Sequence, residues 1–214
     1  MSHRIEIHGE SRSFPESDPF HSTGGDESAE IVVLLGAAAG ASLDSVTGAR
    51  VVLIELDREC LGVHTGEDAG REGNHVLGFA RYRNGNDAPS NLIELVRQPE
   101  TDAEAIEAAR SLFEAAGFDV AVCADQAGRI IDRLVRPKYN AALRFLDEGL
   151  ATAEAMDLTC RLGLSYPDGP IERVERGDLA RHYDVTRDLF ETYGTPGYAP
   201  ARRAVVAAAR RDRD

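Results

Sequence analysis

The sequence runs to 214 residues, enough for one medium or two small domains with a buried core. With 37 acidic against 24 basic residues, its net charge of −13 disfavours nucleic acid and anionic membrane as partners, since neither gains from an acidic field. Apolar content of 43% beside 29% charge is that of an ordinary soluble globular protein. No apolar run reaches the roughly 18 residues of a membrane helix and the amino terminus has no signal-peptide core, so a cytoplasmic chain is expected. Cys60, Cys123 and Cys160 are odd in number and lack CxxC spacing, which supports neither a disulfide framework nor a zinc site; they read as reduced core thiols, with no metal expected.

Residues 1–29 have few apolar side chains beyond Ile5, Ile7, Phe14 and Phe20 and read as a flexible arm, in which Arg4 to His8 can add an edge strand. His3, His8 and His21 are then solvated. Ile31 to Leu35 is an unbroken apolar run, as in a buried parallel strand. The glycine turn after it, Gly36-Ala37-Ala38-Ala39-Gly40, invites a dinucleotide reading but lacks GxGxxG spacing. The next strand, Arg50 to Leu56, follows too soon for a full βαβ crossover, so a small-residue loop or short helix is expected. Asp57 reads as a helix cap rather than a ribose ligand. Gly62 to Gly73, around His64, reads as an exposed connection, and His75 as a solvated turn residue.

Strands are expected at Val76 to Tyr82, Leu92 to Val96 and Asp119 to Cys123. Thr101 and Glu104 form a capping box for a helix with Ile106, Ala109, Leu112, Phe113 and Ala116 on one face and Gly117 at its end. This helix and the strand after it read as the last unit of a parallel sheet. Beyond the Gln126-Ala127-Gly128 turn, Ile130, Ile131, Leu134, Val135, Ala141, Ala142, Phe145 and Leu146 mark the apolar arc of a long helix, with Gly149 as its stop. Pro137 should kink it, a suitable place to hinge two domains. Arg129, Asp132, Arg133 and Arg136 share a polar arc, either a solvated face with i,i+4 ion pairs or a phosphate patch. Lys138, the only lysine, lies on the apolar arc and is expected to snorkel. Thr152 caps a short helix to about Leu162, before the corner LGLSYPDGP, Leu162 to Pro170. Asp178 caps a helix from Leu179 to Tyr193 with Tyr183, Thr186, Leu189, Phe190 and Tyr193 inward, and a last helix spans about Ala201 to Arg211.

The corner, together with Asp125 to Gly128, Arg133, Pro137, Asn140, Gly149, Ala151-Thr152 and Asp157, resembles the start of the C-terminal helical domain of 3-hydroxyacyl-CoA dehydrogenases. The resemblance implies a reduced Rossmann-like α/β sheet, residues 30–126, followed by an all-α domain of the 6-phosphogluconate-dehydrogenase C-terminal type, residues 127–214, with four or five helices. It is similar to the second half of two-copy enzymes of the 3-hydroxybutyryl- and 3-hydroxyadipyl-CoA type. Where that family has its catalytic histidine, the run Gly78-Phe79-Ala80-Arg81-Tyr82-Arg83-Asn84 has Ala80. General-base catalysis is worth about 10²- to 10⁴-fold in rate, which an alanine cannot supply, and Tyr82 is a poor base near neutral pH. Glu94 matches the glutamate that orients the histidine and is the only catalytic position retained. Asp132 replaces an asparagine beside the reacting centre. A carboxylate there opposes a developing alkoxide by about 4 kcal/mol at ~4 Å and an effective dielectric of ~20.

The resemblance therefore implies a non-catalytic dimerisation or acyl-CoA-cleft module without cofactor. It would pair with a copy of itself or a complete dehydrogenase through the apolar faces of the long helix and of Leu179 to Tyr193, with Arg129, Arg133 and Arg136 as candidate CoA-ester ligands. The alternative is an active NAD-dependent dehydrogenase, converting 3-hydroxyacyl-CoA to 3-oxoacyl-CoA with an unrecognised base.

Overall fold

The structure, a computed structural model, describes residues 2–25, 28–67 and 74–213. The chain divides into two compact units, Met1–Arg83 with Pro89–Arg129, and Asn84–Ala88 with Ile130–Asp214. The carboxy-terminal division thus falls after Arg129, where the sequence reading put it after Gln126.

The first unit is a six-stranded sheet in the order β1 (Arg4–Ile7), β2 (Ile31–Leu35), β3 (Val51–Glu55), β4 (Val76–Arg81), β5 (Leu92–Arg97) and β6 (Asp119–Ala124). Strands β1 to β4 are parallel, β5 is antiparallel to β4, and β6 is parallel to β5. The sheet is therefore mixed, which corrects the expected parallel one. The link from Tyr82 to Asn91 is shorter than the dozen or so residues that a parallel crossover needs, so the chain reverses there. The unbroken apolar runs of β2 and β3 are explained by burial on both faces. Alternate residues enter two cores: Val33, Leu35, Leu53, Leu77 and Phe79 join Leu112 and Phe113 of α2 (Ala103–Ala115), while Val32, Leu34, Val52, Ile54 and Val76 pack with Leu61. Thr101 does not cap α2, because its hydroxyl accepts from Gln98 N (2.9 Å) and Asp102 takes the cap position.

The amino-terminal segment departs most from expectation. As expected, β1 pairs with β2, but the rest is no loose arm. Phe14 (0% exposed) and Phe20 (2%) are core residues, stacked at 4.2 Å and packed around Phe79, Phe113 and Phe118. Arg81 pins the segment, donating to Asp18 (2.6 Å) and Ser13 O (2.8 Å) while its guanidinium lies over Phe14 and Phe118. Burial of the two phenylalanine rings, each worth roughly 1.5–3 kcal/mol, together with the Arg81 contacts offsets the ordering entropy that composition alone suggested was too large. The histidines are likewise held: His3 by Thr23, His8 by Ser42 and His21 by the carbonyls of Phe14 and Pro15.

The second unit has five α-helices among its described residues: α3 (Ile131–Asp147), α4 (Ala153–Leu164), α5 (Pro170–Arg176), α6 (Leu179–Tyr193) and α7 (Arg202–Arg211). Thr152 and Asp178 cap α4 and α6 as their positions predict. The buried stripe of α3 is rotated from the predicted one. Arg136, Tyr139, Asn140, Ala142 and Leu143 face inward, whereas Leu134 (71% exposed) and Phe145 (44%) face out. On α6, His182 and Val185 are buried and Phe190 is exposed, a similar rotation. Pro137 has no amide to offer the carbonyl four residues before it, Arg133 O. The Tyr198 hydroxyl donates to that oxygen instead, at 3.4 Å.

The LGLSYPDGP corner is now explicable. Ser165 ends α4 in the left-handed conformation (φ 55°), and the Asp157 carboxylate caps α5 by accepting from Ile171 N (2.8 Å) and Glu172 N (2.9 Å). Gly169 lies so close to that carboxylate that a β-carbon would collide with it.

Candidate functional site

In the α/β unit the geometry centres on the β4–β5 pair. Ala80 and Glu94 stand directly opposite each other in the antiparallel register. Glu94 is 3% exposed and forms an ion pair with Arg129 (Nε to Oε2, 3.5 Å), which also donates from Nη2 to Asp57 O (2.8 Å). To reach these partners Arg129 adopts φ 46°, left-handed backbone that a non-glycine residue occupies only when its surroundings over-determine it. A guanidinium thus answers the buried Glu94 carboxylate. Burial raises the nearby Cys123 thiol to about 11, with Glu94 adding to the shift, so it is no nucleophile. Burial and Asp125 likewise raise Cys60. All three cysteines are free and only partly buried, not core.

The turn after β2 is closed by the chain itself. Gly36 sits at φ 100°, its β-carbon position filled by the carbonyls of His8 and Gly9. Its amide donates to Glu55 Oε2 (2.7 Å), whose other oxygen accepts from Ser13 N (2.7 Å). Ala38 N donates to His8 O (3.0 Å). Beyond it, Gly40–Ser45 is a short 3₁₀ turn, as the loop reading anticipated, and not an α-helix with a dipole. The adjoining cavity of about 320 Å³ is lined by Glu10, Glu55, Asp57 and Glu59 with Arg12 and His64. Burial opposes ionisation of Glu59, but His64 and the backbone amides around it hold its pKa at about 2, so it stays charged. A dinucleotide pyrophosphate needs free amides and a positive helix end. These residues offer committed amides and carboxylates, and do not fit NAD.

Asp57 is not the cap of the helix that follows it, where Leu61 takes the cap position. The single turn α1 (Gly62–Thr65) is held by Asp125, which accepts from Leu61 N (2.8 Å) and Gly62 N (2.7 Å). His64 is half-buried, its ring over Gly40 and 3.5 Å from Glu59, rather than part of an exposed connection; residues 68–73 of that stretch lie outside the described residues.

In the helical unit Asp132 is not a lone carboxylate. Arg136 donates to it from Nε (2.8 Å) and pairs with it through Nη2 (2.7 Å), both side chains largely buried, so the like-charge penalty expected of Asp132 is offset. Arg136 Nη1 also meets His182 Nδ1 at 3.2 Å. A guanidinium only donates, so Nδ1 accepts and the imidazole proton sits on Nε2, donating to Asn140 Oδ1 (3.0 Å). Asn140 in turn donates to Thr186 (2.6 Å) and Gly197 O (3.0 Å). Burial, with Arg136 beside it, lowers His182 to about 3. Of the expected polar arc, the i,i+4 ion pair forms between Asp132 and Arg136, which also meets His182, but the arc is not an open face: Arg129 serves Glu94, and Arg133 lies 4.5 Å over the Tyr193 ring. Sequence reasoning missed Glu55 and His182. The signals were an acid closing an apolar strand, and a histidine at 182 in step with Val185, Thr186 and Leu189.

A mixed α/β sheet unit is thus followed in the chain by a five-helix unit in which the corner described above joins α4 to α5. Residues 128–213 match the family described as 3-hydroxyacyl-CoA dehydrogenase, C-terminal domain. The 3-hydroxybutyryl-CoA dehydrogenase of Bradyrhizobium diazoefficiens is 32% identical over 109 residues, 51% of this chain and 37% of its own length. The Mycobacterium tuberculosis 3-hydroxybutyryl-CoA dehydrogenase is 33% identical over 111 residues, 51% and 38% of the two. Among solved structures, (S)-3-hydroxybutyryl-CoA dehydrogenase from Ralstonia eutropha shares the fold with a TM-score of 0.73 at 19% identity, over 87% of this chain and 69% of that one. Residues 128–213 thus carry the C-terminal domain of the 3-hydroxyacyl-CoA dehydrogenase family. The sequence matches span less than two fifths of the length of these curated relatives.

Proposed function

We propose that the chain is a non-catalytic member of its family, a dimerisation or acyl-CoA-cleft module that works beside a copy of itself or a complete dehydrogenase. The observation that carries this reading is the Ala80–Glu94 register with Arg129 on the carboxylate. An orienting glutamate that already holds a guanidinium has no vacancy for an imidazole, and an alanine supplies no base. The acid-lined cavity after β2 supports the same conclusion for the nucleotide. Exposed Leu134 on α3, Leu158 and Leu162 on α4 and Phe190 on α6 support an apolar partner surface. Among the described residues no helix is long and apolar enough to cross a membrane, so that apolar surface is read as facing protein.

The test is NADH oxidation by the purified chain with acetoacetyl-CoA, beside thermal shifts with NAD and with CoA esters and a solution mass. Background oxidation, no shift with NAD, and a dimeric mass or capture of a complete dehydrogenase are expected. Turnover well above background would refute the proposal in favour of an active dehydrogenase. Ala80→His alone should restore nothing, because Arg129 still holds Glu94.

A further inference from the structure

The helical unit also holds a cavity beside the apolar face of α3. It lies between α3 and α4, measures about 400 Å³ and is lined by Lys138, Phe145, Leu150, Ala155, Met156 and Cys160. That volume is within the roughly 300–1,000 Å³ of small-molecule sites. Its walls are almost wholly apolar, and Phe145 and Leu150 stand 44% and 68% exposed at its edge.

Lys138 is the one charged group in the lining. Its ammonium sits 3.6 Å from the centre of the Tyr166 ring, and among the described residues no carboxylate pairs with it. Burial lowers its pKa. Arg136 of α3 is buried against Asp132, and the part-exposed Arg173 and Arg176 of α5 share Asp168, whereas Lys138 is a cation without such an acid among the described residues. This partly desolvated one faces an apolar hollow instead. A ring face supplies only part of what water gave the ammonium, about 0.5–2 kcal/mol. A molecule with a negative head and an apolar tail would match the ammonium and the hollow together.

We propose that this cavity binds a medium-chain aliphatic carboxylate, its chain against Phe145, Leu150 and Met156 and its carboxylate on the Lys138 ammonium. The sole lysine of the chain then serves as the head-group anchor. An unbranched tail suits the unbranched and small walls offered by Met156, Ala141 and Ala155.

Calorimetric titration of the full chain with hexanoate, octanoate and decanoate tests this. Each added methylene should tighten binding roughly fourfold, so decanoate should bind about fifteen-fold tighter than octanoate. Lys138→Met keeps the stem and removes the charge. It should weaken decanoate by about tenfold or more while leaving decan-1-ol within about twofold. Ala155→Phe, at an exposed rim position, should abolish binding of both without loss of helical circular dichroism. Three results would overturn the proposal: no saturable binding below the micellar range, decanoate held equally by Lys138→Met and the parent, or a dimer in sedimentation that Ala155→Phe dissociates without ligand. The last would give the cavity to a second copy of the chain. None of these bears on NADH oxidation, so the two readings fail separately.

Discussion

Acid should unfold the helical unit well before its carboxylates titrate. His182 is neutral in the fold because burial and Arg136 hold its pKa at about 3, against 6.5 for a free imidazole. Above pH 6.5 neither folded nor unfolded chain carries the proton, and the residue adds nothing to pH dependence. Below that pH the unfolded chain binds a proton that the folded chain refuses, and stability falls by about 1.4 kcal/mol per pH unit. Across the two units from pH 6.5 to about 4.5 the loss comes to about 2.3 kcal/mol, and it levels off only near the folded pKa. Unfolded carboxylates titrate around 3.9–4.3, so this window belongs mainly to histidine. The chain has no tryptophan, and five of its six tyrosines (Tyr139, Tyr166, Tyr183, Tyr193 and Tyr198) lie in the helical unit. Near-ultraviolet dichroism therefore reports that unit during denaturant titrations at each pH. His182→Gln removes the titration, and its stability should change less over the same window by about 2–3 kcal/mol. A variant that kept the parent's full slope between those pH values would refute the assignment of the acid sensitivity to His182.

Arg129→Met should destabilise the α/β unit by about 3–5 kcal/mol in chemical denaturation by leaving Glu94 buried and unpaired, and the added change Glu94→Leu should recover most of that loss. If the double variant were no better than the single one, the pair would not be the cause. Tyr198→Phe should cost the helical unit about 1–2 kcal/mol, because the Arg133 carbonyl that Pro137 leaves free loses its donor; thermal unfolding followed in the near ultraviolet measures it. Gly169→Ala should cost about 2–4 kcal/mol, by driving a methyl into Asp157 and breaking its cap on α5. Hydrogen exchange at Ile171 and Glu172 should quicken in that variant, and unchanged exchange there would contradict the capping role.

Much of the fold was legible in local chemistry. The runs at Ile31 to Leu35 and Arg50 to Leu56 admit only doubly covered strands, and Thr152, Asp178, Gly149 and Gly194 mark helix ends because those side chains or backbones suit orphaned peptide groups. That Ala80 has no side chain able to act as a base is likewise a matter of residue identity. What covers a face is not. Periodicity on α3 reports an apolar stripe, but the stripe that packs is the one whose polar members find partners: Asn140 with Thr186, Arg136 with His182. The amino-terminal segment looks too polar to fold until Phe79, Phe113 and Phe118 are brought beside Phe14 and Phe20. Glu55 and Glu94 are single acids in apolar strands, and only the tertiary structure decides that one closes the turn after β2 and the other binds Arg129. A buried charge is settled by whatever opposite group the fold delivers from far along the chain, and no local pattern encodes that distance.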